Sequence, residues 1–261
     1  MSFLSMRSKI TFLILVISGF FLACKKDHTT TPQSDVNLKK GLLVYLPFDG
    51  NMADSSGNGN QTTAVGGATL TYDEHGYSNS AFGGTGNGER LLVTNNGSIK
   101  FDTAYTLSYN IMTRTTGYQT FVSMVNNING RGPTFTSGIN APFSNVLQWA
   151  TVDSTSSCPS DGGTSSVINT STFMPQPESW YNFILVFHKG INQIYVNGAL
   201  VATKTGSITK AFICPDAQLV IGGWWQNDPI TINGKLDEVR LYNRTLNADE
   251  MAELSKDFQA N

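Results

Sequence analysis

Oxygen donors gather in two places in this chain. In the loop over residues 49–61, Asp49, Asn51, Asp54 and Asn58 fall two to four residues apart among glycines and serines. Hard oxygen ligands at such spacing suit Ca²⁺, although no terminal glutamate closes the loop as an EF-hand requires. The same residue types bond their own backbone in tight turns, so metal ligation and plain turn chemistry both stay open. The second place is the run over residues 234–244. There the charged Asp237, Glu238 and Arg240 interleave with apolar Leu236, Val239 and Leu241. Read as a strand of period two, the run sends Asp237 and Glu238 to opposite faces. They cannot then form the facing carboxylate pair that glycoside hydrolysis uses.

A third group has the make-up of a sugar site. Trp224, Trp225, Gln226, Asn227, Asp228 and Pro229 are consecutive, and carbohydrate rings are held between aromatic faces and planar polar side chains. Neighbours on an extended chain point opposite ways, so at most one of the two tryptophans faces a core easily. The alternative is that both pack at a rim. Trp149 and Tyr118 are further aromatic candidates, and Trp180 is assigned to the core. Nucleophile chemistry has little to stand on. No Gly-x-Ser-x-Gly elbow is present, and His28, His75 and His188 are scattered without zinc spacing. Asp73, Glu74 and His75 read as a solvated polar turn.

The elements that must position these groups are strands. Of 261 residues 14% are charged, with 25 Gly and 9 Pro, and the formal net charge is −2. Turn formers are abundant and helix formers scarce, which is all-β composition. The charge carries no footprint for nucleic acid. Strands are expected over residues 42–48, 68–72, 90–94, 105–114, 120–126, 135–138, 146–151, 180–188, 193–196, 199–204, 218–222 and 232–242, with residues 158–171 as a loop. Asn197-Gly198 suits a two-residue hairpin turn with positive φ at both positions. One helix is expected, capped by Asn247, with Asp249 and Glu250 at its positive end and Met251, Leu254 and Phe258 on one face.

Residues 1–23 read as a leader. Arg7 and Lys9 precede an apolar run from Ile10 to Leu22, too short to span a bilayer. It ends at Cys24 and resembles a bacterial lipoprotein signal of the Bacteroidetes type, which implies acylation of Cys24 and an outer-membrane lipid anchor compatible with surface display. Residues 24–40 are polar and aperiodic and read as a disordered tether. The domain is then residues 41–261. Cys158 and Cys214 remain, both beside prolines. In an oxidising compartment a bridge between them is favoured over two free thiols, and would stabilise by about 4 kcal/mol.

Four segments together resemble the laminin-G-like branch of the concanavalin A-like lectins and glucanases: Val44–Asn51 with Asp54–Asn58; Trp180 through Tyr195-Val196-Asn197-Gly198; Leu219–Gly223; and residues 234–250. The resemblance implies a jelly-roll sandwich of two antiparallel sheets. It implies a structural Ca²⁺ held between the first loop and the closing strand, which nominates Asp49, Asn51 and Asp237. Glucanases of that superfamily carry Glu-x-Asp-x-x-Glu or Glu-x-Asp-x-Glu on a strand, and none is present here. The expectation is therefore a non-catalytic, glycan-binding envelope lipoprotein, with residues 224–228 as ligand surface. A divergent hydrolase or lyase, and a protein-binding adhesin, stand as alternatives.

Overall fold

Every second side chain of the longest strands points into one apolar layer, and this alternation organises the whole domain. The computed structural model describes residues 36–126, 132–140, 146–153, 165–214, 216–224 and 230–259. In chain order the strands are β1 (Leu42–Leu46), β2 (Gln61–Val65), β3 (Thr69–Thr71), β4 (Ala81–Thr85), β5 (Arg90–Thr94), β6 (Ala104–Thr113), β7 (Gln119–Asn126) and β8 (Gly132–Asn140). They continue with β9 (Val146–Asp153), β10 (Ser165–Thr170), β11 (Trp180–His188), β12 (Ile191–Val196), β13 (Ala199–Thr205), β14 (Ala217–Ile221) and β15 (Asn233–Tyr242). One sheet runs β13-β12-β11-β6-β15-β4-β3, with β1 also paired to β15; the other runs β10-β9-β8-β7-β14-β5-β2. All pairings are antiparallel, as expected of a jelly-roll sandwich.

The core lies between the sheets. Tyr105, Leu107, Tyr109 and Ile111 of β6 and Leu236, Val239 and Leu241 of β15 face Phe121, Phe135, Ile139, Leu147 and Trp149, all fully buried. Tyr105 anchors an aromatic cluster, 5.4 Å from Phe135, 5.1 Å from Phe187 and 5.7 Å from Trp149 by ring centroid. Each such side chain contributes about 1.5–3 kcal/mol by leaving water. Trp149 is thus core and not a ligand platform. Trp180, expected in the core, is only half-buried at the start of β11, with the Lys235 ammonium 5.8 Å above its ring. Close approach of two strands fixes Gly234: a Cβ there would stand 2.1 Å from the Met112 carbonyl oxygen.

The Asn197-Gly198 hairpin forms as expected, with φ of 51° and 80°. The expected loop over residues 158–171 does not hold at its end. Residues 165–170 form β10, paired in continuous register with β9. Serine-rich composition hid the β-branched Val167 and Ile168.

The helix α1 (Ala248–Ser255) is capped by Asn247 in a reciprocal box with Glu250. Its buried residues are Glu250 and Ser255, while Met251 and Leu254 stay half-buried. Glu250 is buried because it grips Arg244 through both oxygens at 2.6 and 2.7 Å. Arg244 in turn donates to the carbonyls of Asn37 and Lys40, and the Asn37 amide donates to Glu250. Residues 37–40, assigned to the tether on composition, are therefore tied into the domain. The Arg244 fork holds the Glu250 carboxyl below the usual carboxylate range. Among the described residues no helix is long and apolar enough to cross a membrane.

Candidate functional site

The first site is acidic and sits on the outer face of the larger sheet. Asp237 and Asn110 are register partners on β15 and β6. One position on, the ladder slips: Asp237 opposes Asn110 but Arg240 opposes Ser108, so β15 carries one extra residue. Glu238 takes it up as a bulge with φ of 53°. The period-two expectation fails here. Asp237 and Glu238 do not point to opposite faces; both line one cavity of about 380 Å³, with Asp49, Asp73, Glu74 and Arg240. Glu238 pairs with Arg240 and accepts from the Tyr45 hydroxyl at 2.9 Å, and the Arg240 guanidinium lies 4.2 Å over the Tyr45 ring. Burial raises the Tyr45 phenol well above its ordinary range.

Asp237 is 5% exposed. Burial, then the charges of Glu74 and Glu238, push its carboxyl far above the carboxylate range. A buried Asn182 amide donates to Asn110 at 2.9 Å, and Asn110 donates to Glu74 at 2.7 Å, which aims Glu74 at the cavity. The turn at residues 73–75 is therefore not merely solvated. Carboxylate oxygens of Asp73, Glu74 and Asp237 lie within 4.8 Å of one another, and the second Glu74 oxygen is buried with no hydrogen-bond partner among the described residues. Three converging hard oxygens, one of them unpartnered, fit a divalent cation of the Ca²⁺ type.

Of the nominated ligands, Asp49 and Asp237 reach this cavity and Asn51 does not line it. Asn51 is exposed, donating to the Asp49 carbonyl and accepting from the Ala53 amide. Turn chemistry also accounts for Asp54, which accepts from the Tyr45 and Ser56 amides, the Ser56 hydroxyl and Asn60. Asn58 donates to the Leu42 and Leu43 carbonyls.

The second site lies on the outer face of the smaller sheet. Outward-facing Leu92, Val125 and Val220 form a small apolar patch against which Trp224 packs. Beside it a groove of about 170 Å³ opens between Tyr118 and Trp224, with Thr136 and Gln148 among the lining residues. Tyr118 is 39% exposed. The β7 bulge after Thr120 brings the Gln119 carbonyl over Gly138, where a Cβ would stand 2.4 Å from that oxygen. Trp224 is half-buried here. Trp225, Gln226, Asn227 and Asp228 lie outside the described residues, as do Cys24 and Cys158. Cys214 is buried at 4%.

Residues 83–252 match the family model Laminin_G_3, described as the concanavalin A-like lectin/glucanases superfamily. Among curated proteins none matches the chain. Solved structures share the fold at low identity. The binding domain of Paraclostridial Mosquitocidal Protein 1 superposes with a TM-score of 0.65 at 16% identity, over 85% of this chain and 53% of that one. A structure described under botulinum neurotoxin type C, whose cell entry depends on two ganglioside molecules, gives 0.60 at 17% identity over 87% and 53%. The chain thus spans about half the length of these toxin domains. Domain 4 of the arabinanase AbnA from Geobacillus stearothermophilus, solved with arabinotriose, gives 0.54 at 17% identity over 82% and 98%. With its two antiparallel sheets and this match over most of its domain, the chain belongs to the concanavalin A-like lectin/glucanases superfamily.

Proposed function

We propose that this protein is a non-catalytic glycan-binding lipoprotein of the bacterial cell envelope. The observation that carries the reading is the groove between Tyr118 and Trp224, whose described lining has two aromatic side chains, amides and hydroxyls and no carboxylate among those residues. Aromatic walls with planar polar groups recognise sugar rings. A hydrolytic site would need an acid and a base or nucleophile flanking the bond. The superposed toxin and arabinanase domains are described with gangliosides and arabinotriose, which favours carbohydrate over protein as partner. A glycan array read with purified domain tests this. Binding that is lost in Tyr118→Ala and Trp224→Ala proteins of unchanged circular dichroism supports it, whereas silence across the array together with tight capture of an envelope protein would favour the adhesin.

The acidic cavity is then a structural cation site, with Asp237, Glu74 and Asp73 as ligands and Asp49 at its edge. A bound Ca²⁺ would neutralise the Asp237 carboxylate, which burial otherwise drives toward protonation. Chelator should lower the melting temperature, and Asp237→Asn and Asp49→Ala should blunt that response. We further assign Cys24 to lipidation and Cys158 with Cys214 to a disulfide. The bonded, buried sulfur of Cys214 supports the bridge. Radiolabelled palmitate incorporation that disappears in Cys24→Ala tests the anchor, and diagonal electrophoresis of a protease digest tests the bridge.

A further inference from the structure

In the groove between Tyr118 and Trp224 several lining groups are already committed to the fold, and a buried acceptor among them points to the ligand. The Ser137 hydroxyl accepts from the Val122 amide at 3.2 Å and donates to the Val122 carbonyl at 3.0 Å. Gln119 donates to the Thr115 carbonyl at 2.8 Å and accepts from the Asn233 amide at 3.0 Å. Thr136 shares a 2.9 Å hydrogen bond with Ser123. Among what remains is one buried acceptor. The side-chain carbonyl oxygen of Gln148, on the outward row of β9, is buried and has no hydrogen-bond partner among the described residues. A buried acceptor left unpaired costs about 1–3 kcal/mol. A fold keeps such a group where something outside the chain supplies the donor.

Three features identify that donor. It enters between two aromatic side chains, so it is carried on a flat, partly apolar body. It carries an O–H or N–H, because the buried unpaired atom of Gln148 is its oxygen. It is uncharged, because none of the nine described lining residues is Lys, Arg, His, Asp or Glu. A sugar carboxylate placed here would oppose the Gln148 oxygen in a half-enclosed space with no cation among the described lining residues. At about 170 Å³ the groove is smaller than a usual whole-ligand pocket of about 300–1,000 Å³, so it takes a single ring of a longer chain.

Resting on the glycan-binding reading, we infer that this groove is a subsite for one uncharged sugar ring of a polysaccharide, with a ring hydroxyl donating to Gln148. Acidic glycans, uronate or sialylated, are excluded from it.

The test is titration calorimetry of the whole domain with trisaccharides of matched length, neutral gluco-, manno- and arabino-trioses against trigalacturonate, alongside an array holding neutral and acidic glycans. At least one neutral glycan should bind tenfold or more tighter than any acidic one. Gln148→Leu should weaken that binding roughly tenfold, the fold-change of one hydrogen bond of about 1.4 kcal/mol. It should leave the melting temperature unchanged or raised, since it removes an unpaired acceptor; a merely structural glutamine would show the opposite pattern. Tyr118→Ala should weaken the same binding independently. Preferential binding of acidic glycans, or neutral binding indifferent to both substitutions, overturns the subsite and leaves the glycan-binding reading standing. Silence of both classes across the array overturns both.

Discussion

Removal of the Glu250 carboxylate should loosen the domain where the preceding chain enters it. Glu250 is 2% exposed and accepts from both guanidinium arms of Arg244, from the Asn247 amide and from the Asn37 amide. Deleting one partner of a buried ion pair costs about 3–5 kcal/mol, because the other charge stays uncompensated. Arg244 keeps 21% side-chain exposure, so partial hydration brings the cost to the lower end of that range. Loss of the reciprocal half of the helix cap adds about 0.5–1 kcal/mol. Glu250→Ala should therefore destabilise by about 3–4 kcal/mol, which lowers the melting temperature by roughly 10 °C in a domain of this size. The same substitution frees Asn37 and Lys40, whose carbonyls Arg244 holds. Trypsin should then cut after Lys39 or Lys40 well before the rest of the domain, measured by mass spectrometry on a limited digest. A variant that melts within 2 °C of the parent, with unchanged cleavage at those lysines, would refute the reasoning.

Four further outcomes follow from the geometry. The folded pKa of Glu250 is depressed, so its stabilisation is present above the unfolded value of about 4.3 and is lost as pH falls through the folded value. The melting gap between parent and Glu250→Gln should be full at pH 7 and close on acidification below about pH 4. Trp149→Ala should cost about 3–5 kcal/mol in chemical denaturation, because it empties the centre of the aromatic cluster; a small loss would mean that the core is not where Trp149 sits. Gly234→Ala places a methyl against the Met112 carbonyl and should destabilise by more than about 1 kcal/mol, whereas Gly67→Ala, with nothing within 4 Å, should be limited to the cost of its positive φ. Reduction of the cystine should lower the melting temperature, by about 4 kcal/mol of stability on the chain-entropy estimate. An unchanged melt under reductant would sink the Cys158–Cys214 assignment.

The acidic site shows how a period is misread. The run Leu236-Asp237-Glu238-Val239 spaces its apolar residues three apart, where a regular strand spaces them two. That extra residue is the sequence signal of the bulge, and it reverses the conclusion about which way Glu238 points. Glu74 gave no comparable signal. It is 163 residues from Asp237, and only the β3–β4 connection laid over the sheet brings their oxygens together.

Local physics settled in the sequence what depends on neighbours along the chain. The Asn197-Gly198 turn, the Asn247 cap and the two-residue alternation of β6 and β11 all follow from side-chain reach within a few residues and from steric limits on φ. Those features suffice for antiparallel strands; the superfamily rests on the segments that resemble it and on the match over residues 83–252. Pairing across the layers decided the rest. Trp149 and Trp224 are the same residue type, yet one fills the core and the other borders a groove, because Trp149 stands on the inward row of β9 while Trp224 follows the end of β14 and packs on the outer apolar patch of that sheet. Whether Gln148 meets a partner depends on which side chains β7 and β8 have already committed to each other. No stretch of chain carries that information alone, since a hydrogen bond between strands exists only once both are placed.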